Sequence, residues 1–224
     1  MNFQVLFFTI VAFYFSIGLV TASESYDGQY ECSGNLKKIE FKIEVSKDGN
    51  LKKTTKNTET NGRIYTDTDD GQKFSSNNRI LLSYTPKRMR VEVLENKKEK
   101  IRIDQSVLSL KGLKVIPSPK KGLVVLGKIS KKSYFKNDPK KTTKLGREFR
   151  VEVLGKEKVK HKTLGNLEYW KVKLTFSSQQ GGQAVKSEAN GQYNSKYGYL
   201  KYSWKSTAKG KEIYKEDCKL VSWK

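Results

Sequence analysis

Histidine occurs once in this chain, at His161, and cysteine twice, at Cys32 and Cys218. Two thiols without a Cys-x-x-Cys spacing and one imidazole are too few N and S ligands for a zinc centre, so no metal site is expected. A Ser–His–Asp arrangement would need His161 beside a nucleophile, but no Gly-x-Ser-x-Gly is present and His161 lies among Lys158, Lys160 and Lys162. No glycine-rich phosphate loop occurs, and no cofactor is expected. No Asn-x-Ser/Thr sequon is found, although Asn is common. No stretch sustains a helical period, which leaves strands as the building material. Arginine is also scarce: seven of the 45 cationic residues are Arg. Lys is a hydrated point charge and Arg the bidentate reader of phosphate. With no nucleic-acid-binding motif, a nucleic-acid partner is not expected.

What the chain has in excess is positive charge, +22 overall. None of it lies in the first 22 residues. Phe3 to Val20 is nearly all apolar, and Val20-Thr21-Ala22 offers a small-residue cleavage site before Ser23. This reads as a secretory signal peptide over 1–22, followed by a single β domain over 23–224. The run is long enough to span a bilayer and no Lys or Arg precedes it, so an uncleaved anchor is the alternative. An exported chain with an even pair of cysteines predicts a Cys32–Cys218 disulfide. It would tie the first strand to the last across 186 positions. Chain entropy alone would give it about 5 kcal/mol, an upper figure.

Period-two patterning runs through the rest. Ile39, Phe41, Ile43 and Val45 alternate with charged or polar residues, and Trp170, Val172, Leu174 and Phe176 alternate with Lys171, Lys173 and Thr175. Leu200, Tyr202 and Trp204 repeat the pattern after a Gly181-Gly182 break, so the stretch 168–204 reads as a two-armed core. Met89, Val91 and Val93 alternate with Arg90 and Glu92. Arg90-Val-Glu-Val-Leu94 recurs as Arg150-Val-Glu-Val-Leu154, by duplication or by chance. Residues 51–61 read as an exposed strand or a loop. Asp67-Thr-Asp-Asp-Gly71 fails the EF-hand spacing and reads as an Asp-Gly turn. A short apolar strand is expected over 80–84. Pro117-Ser-Pro119 marks a break in the sheet, and 131–144 reads as a solvated loop. Ile213 to Trp223 is the final strand. The fold expected is all-β: a single antiparallel curved sheet, half-barrel or barrel.

Gly165-Asn-Leu-Glu-Tyr-Trp-Lys-Val172 and Tyr193-Asn-Ser-Lys-Tyr-Gly-Tyr-Leu-Lys-Tyr202 carry a resemblance. Gly155–Trp204, under a quarter of the chain, resembles the C-terminal part of uncharacterised bacterial periplasmic β-proteins. Those are broadly similar in build to the outer-membrane lipoprotein carriers. The resemblance implies a curved antiparallel sheet with an apolar concave face and lipid or lipoprotein handling; no functional residue carries over.

Eleven Lys or Arg lie between Lys120 and Arg150, against Asp138 and Glu148. A surface of that sign draws anions. Lys120, Lys121, Lys131, Lys132, Lys140 and Lys141 are the expected anion-binding set, against the alternative of a lysine surface that serves only solubility. The function expected is that of a non-enzymatic exported protein, periplasmic or extracellular, which binds an anionic, partly apolar envelope component such as a lipid or lipid-linked glycan, at a membrane surface or free. A structural or adhesive surface protein and a carboxylate-based enzyme are the rivals. An apolar cavity would favour the binding protein, a fully packed sheet the structural one, and two facing buried carboxylates the enzyme. Oligomeric state is not legible.

Overall fold

The alternation of the sequence closes on itself. In the computed structural model, which describes residues 24–46, 51–72, 84–93, 99–113, 119–180, 183–194 and 196–224, twelve antiparallel strands form one closed barrel. They are β1 (Glu24–Gly34), β2 (Leu36–Val45), β3 (Leu51–Glu59), β4 (Ile64–Gln72), β5 (Tyr84–Val93), β6 (Glu99–Leu110), β7 (Val124–Phe135), β8 (Asp138–His161), β9 (Gly165–Gln180), β10 (Gln183–Asn194), β11 (Gly198–Ala208) and β12 (Lys211–Trp223). Each strand pairs with its chain neighbours, and β1 pairs with β12. Closure leaves no strand edge to template another chain. The seam is covalent: Cys32 and Cys218 are register partners and are disulfide-bonded, with Cα atoms 4.1 Å apart. Residues 1–22, expected as a signal peptide, the apolar run over 80–83, Pro117 and Gly181-Gly182 lie outside the described residues.

Twelve strands enclose more space than side chains of eight would fill. Two apolar clusters occupy the sector from β7 round to β2. One gathers Val125, Phe149, Val151, Val172, Leu174, Ala189, Tyr193, Trp204 and Tyr214. The other gathers Tyr30, Leu36, Ile39, Phe41, Ile43, Tyr169, Leu200, Cys218 and Leu220. Glycines let rings lie flat against the wall. A Cβ on Gly28 would sit 2.2 Å from the Phe41 ring, and one on Gly127 would sit 2.4 Å from Phe149.

From β3 to β7 the barrel is turned inside out. Thr55, Asn57, Asp67, Asp69, Arg88, Arg90, Arg102, Asp104 and Lys131 are buried there, with Tyr65 and Val125 the buried hydrophobic residues beside them, while Met89, at 38% exposed, and Val107, at 66%, face solvent. The expected Asp-Gly turn at 67–71 is therefore strand β4, and residues 51–59 are β3 with Thr55 and Asn57 facing in. Residues 131–144, expected as a solvated loop, form the β7–β8 hairpin. The two-armed core is three strands, because β10 stands between β9 and β11. Elsewhere the outer positions carry charge. Lys38 pairs with Glu40 at 2.7 Å, Lys42 with Glu44 at 3.0 Å and Lys173 with Glu188 at 3.0 Å. A lipid-facing barrel would carry a continuous apolar band at such positions.

Beyond a bulge at Val153/Gly155, β8 and β9 continue as a two-stranded ribbon. Val159, Leu164 and Leu167 pack against the second apolar cluster. The His161 ring fastens the tip. Its Nδ1 accepts from the backbone N–H groups of Thr163 and Leu164, both at 3.3 Å, which leaves Nε2–H to donate to the Leu220 carbonyl at 2.9 Å.

Candidate functional site in the barrel lumen

Charged residues two apart on β4, β5 and β6 fall on one face, and register places them side by side. Asp69, Arg88 and Asp104 form one row, and Asp67, Arg90 and Arg102 the next. Arg88 donates to Asp69 through Nε at 2.5 Å and Nη2 at 3.3 Å. Arg90 donates to both Asp67 oxygens, at 2.7 and 2.8 Å, and its guanidinium lies 3.9 Å from the Tyr65 ring centroid. These are two-pronged pairs of the kind that survive burial. Burial by itself would raise the Asp67 carboxyl, but Arg88 and Arg90 outweigh it and hold the group below the usual carboxylate range. Asp104 serves two cations, Arg102 with Nε at 3.3 Å and Lys131 at 2.9 Å. Burial pushes the Lys131 ammonium down, and Arg102 adds to the push.

Between this charged wall and the apolar wall lies a cavity. Its polar lining comprises Lys53, Thr55, Asn57, Asp67, Asp69 and Glu216, with Tyr30, Tyr199 and Tyr202; Leu36, Ile39, Val172, Leu174 and Ala189 line the other side. About 70 Å³ is open to water. At roughly 10–15 Å³ per water by this measure, that is room for a handful.

Two of the lining groups differ from the rest. Asp67 and Asp69 are committed to arginines, whereas Lys53 joins no ion pair among the described residues. The Lys53 ammonium lies 5.1 Å from the Phe41 ring centroid. Burial pulls it down to about 8, against the pull of Asp69. Glu216 is fully buried, and its Oε2 accepts from the Tyr214 hydroxyl at 2.6 Å. Burial pushes its carboxyl up to about 7, with the Tyr214 and Tyr202 hydroxyls opposing. The site can therefore hold an acid at Lys53 and a neutral hydrogen-bonding group at Glu216, with an apolar body between polar ends.

The six lysines expected to bind anions are not one site. Lys131 is buried in the lumen on Asp104, because a period of two sends Lys131 and Lys132 to opposite faces of β7. Lys132 faces solvent opposite Lys144. Lys120 and Lys121 are exposed in the turn before β7, and Lys140 and Lys141 lie beyond its other end. A twelve-residue strand separates the two pairs by about 40 Å. Lys141 is also paired with Asp138 at 3.3 Å.

Sequence reasoning passed over Lys53, Asp67, Asp69 and Glu216. The usable signal was reciprocal: Asp-x-Asp on β4 against Arg-x-Arg on β5, and Glu216 in the same alternate set as Cys218 and Leu220. No protein-family model, no curated protein and no solved structure matches this chain.

Proposed function

We propose that the chain is a non-enzymatic binding protein whose lumen takes one small, anionic, partly apolar molecule. Its acid group pairs with Lys53 and its apolar part lies along Leu36, Ile39, Val172, Leu174 and Ala189. The observation that carries this reading is one cavity that sets a lysine outside any ion pair against an apolar wall. A buried ammonium whose neighbouring carboxylates are already committed to arginines gains from a ligand that brings its own. The space is well below the roughly 300–1,000 Å³ of sites for drug-sized ligands, so a single-chain acid fits better than a diacyl lipid. The disulfide supports an exported setting, periplasmic or extracellular.

Octanoate and octanol, titrated calorimetrically into the wild-type protein and Lys53→Met, test the reading. Octanoate is expected to bind one-to-one and to lose at least about tenfold in affinity on Lys53→Met, while octanol binds weakly to both. Equal binding of acid and alcohol, or an octanoate affinity indifferent to Lys53, would overturn it.

A further inference from the structure

We infer that the cavity recognises a second polar group on its ligand, a hydrogen-bond acceptor remote from the acid, through the Glu216 carboxyl. The inference rests on the lumen-binding reading above and names what the ligand carries besides its acid.

Glu216 stands on β12, three strands round the wall from Lys53 on β3, and both line the same cavity. Its side chain is fully buried, so bulk water is not its partner. Oε2 is taken by Tyr214, while Oε1 has no hydrogen-bond partner among the described residues. An unpaired buried carboxyl oxygen is costly, and something entering the cavity can remove that cost. The groups facing Glu216 decide which chemistry that is. Tyr214 on its own strand and Tyr202 on β11 offer hydroxyl donors to the carboxyl. Tyr65 on β4 faces it with a phenol, and Asp217 beside it adds negative charge. Arg90, whose guanidinium lies over the Tyr65 ring, is already bound to Asp67. Burial, with the like charge of Asp217 behind it and no cation paired to the carboxyl among the described residues, outweighs the two hydroxyl donors and pushes the group up to about 7. The phenols supply donors to the carboxyl, so its own proton needs an acceptor. The open position is at Oε1. A ketone, ester or ether oxygen meets that need, and a second carboxylate there does not.

The test uses wild-type protein, Glu216→Gln and Glu216→Leu. The probes are octanoate, the four isomers 4-, 5-, 6- and 7-oxooctanoate, and neutral 2-octanone, each at pH 6.0 and 8.5. At pH 6.0 one oxo isomer is expected to bind wild-type protein at least about tenfold tighter than octanoate. Glu216→Gln, which keeps a donor, should retain most of the gain. Glu216→Leu should lose it while still binding octanoate, which shows that the fold and the Lys53 end are intact. At pH 8.5 the gain should shrink in the wild type and persist in Glu216→Gln. Octanoate binding with no gain from any isomer, or a gain that survives in Glu216→Leu, overturns the inference and leaves the Lys53 reading standing. Should octanoate fail to bind while 2-octanone binds in a Glu216-dependent way, the Lys53 reading falls and the Glu216 site stands. A Leu variant that does not fold leaves the decision to the pH contrast between wild type and Glu216→Gln, where equal loss of gain in both overturns the inference.

Discussion

Arg90 and Arg150 open the same pentapeptide and face opposite ways. Arg90 is buried and holds Asp67 with two hydrogen bonds. Arg150 is exposed and donates to Glu152, two residues along its own strand, through Nε at 2.9 Å. The difference lies in the neighbouring strands: β4 offers Asp67 inside, whereas β9 offers Leu174 opposite Val151. Removing one partner of a buried pair strands the other charge, so Arg90→Met should cost about 3–5 kcal/mol. Arg150→Met should cost under about 1 kcal/mol, because its pair is solvated. Urea unfolding of the two variants checks this; equal costs would contradict the inside-out sector. Glu216 gives a second prediction. Its folded-state carboxyl titrates near 7, above the ordinary 4.5, so the native state holds the proton more tightly than the unfolded chain. Stability from this group is therefore full below about pH 4.5 and declines as pH rises to about 7. Glu216→Gln should change stability little at pH 5 and raise it at pH 8.5 relative to wild type, by up to about 3 kcal/mol. Denaturant midpoints at the two pH values measure it.

At the scale of elements, strands whose apolar face turns inward were legible, and strands whose charged face turns inward were legible only as alternation, without their orientation. β2 and β9 show clean alternation because one face meets the core and the other meets water. On β5 and β6 both faces carry residues that would suit a core or a surface, and only the pairing partner chooses. Nothing in residues 64–72 alone says that Asp67 and Asp69 face inward; the information sits in Arg88 and Arg90 on the next strand. Residues 51–59 looked exposed for the same reason, since Thr55 and Asn57 line a polar lumen. The disulfide was readable because composition and compartment logic pointed to it without any register. That the β8–β9 ribbon packs back on the barrel was not readable, because it depends on the bulge after Val153. His161→Ala should cost about 1–2 kcal/mol through the lost bond to Leu220 and the freed amides of the turn. It should leave octanoate affinity unchanged, since His161 does not line the cavity. A loss of binding without a loss of stability would contradict this structural role.

For the whole molecule, closure and the seam disulfide hold two unlike walls around one lumen. An apolar interior all the way round would pack shut, and a charged one would fill with water and pair off internally. Their juxtaposition is what leaves an amphipathic space with Lys53 outside the ion-pair network. In the proposed binding role the surface lysines attract anions at long range, an attraction that salt screens within about 10 Å at 0.1 M, and the lumen supplies the contact. The most direct measurement is the proton count on binding. Octanoate is titrated at pH 8.5 by calorimetry in buffers of different ionisation enthalpy. Lys53 titrates near 8 in the free protein, so it is partly neutral at this pH, and a carboxylate beside it must raise its affinity for a proton. The account predicts net uptake of a substantial fraction of one proton per octanoate bound, abolished in Lys53→Met. Binding of octanoate with no proton uptake, unchanged in Lys53→Met, would contradict it.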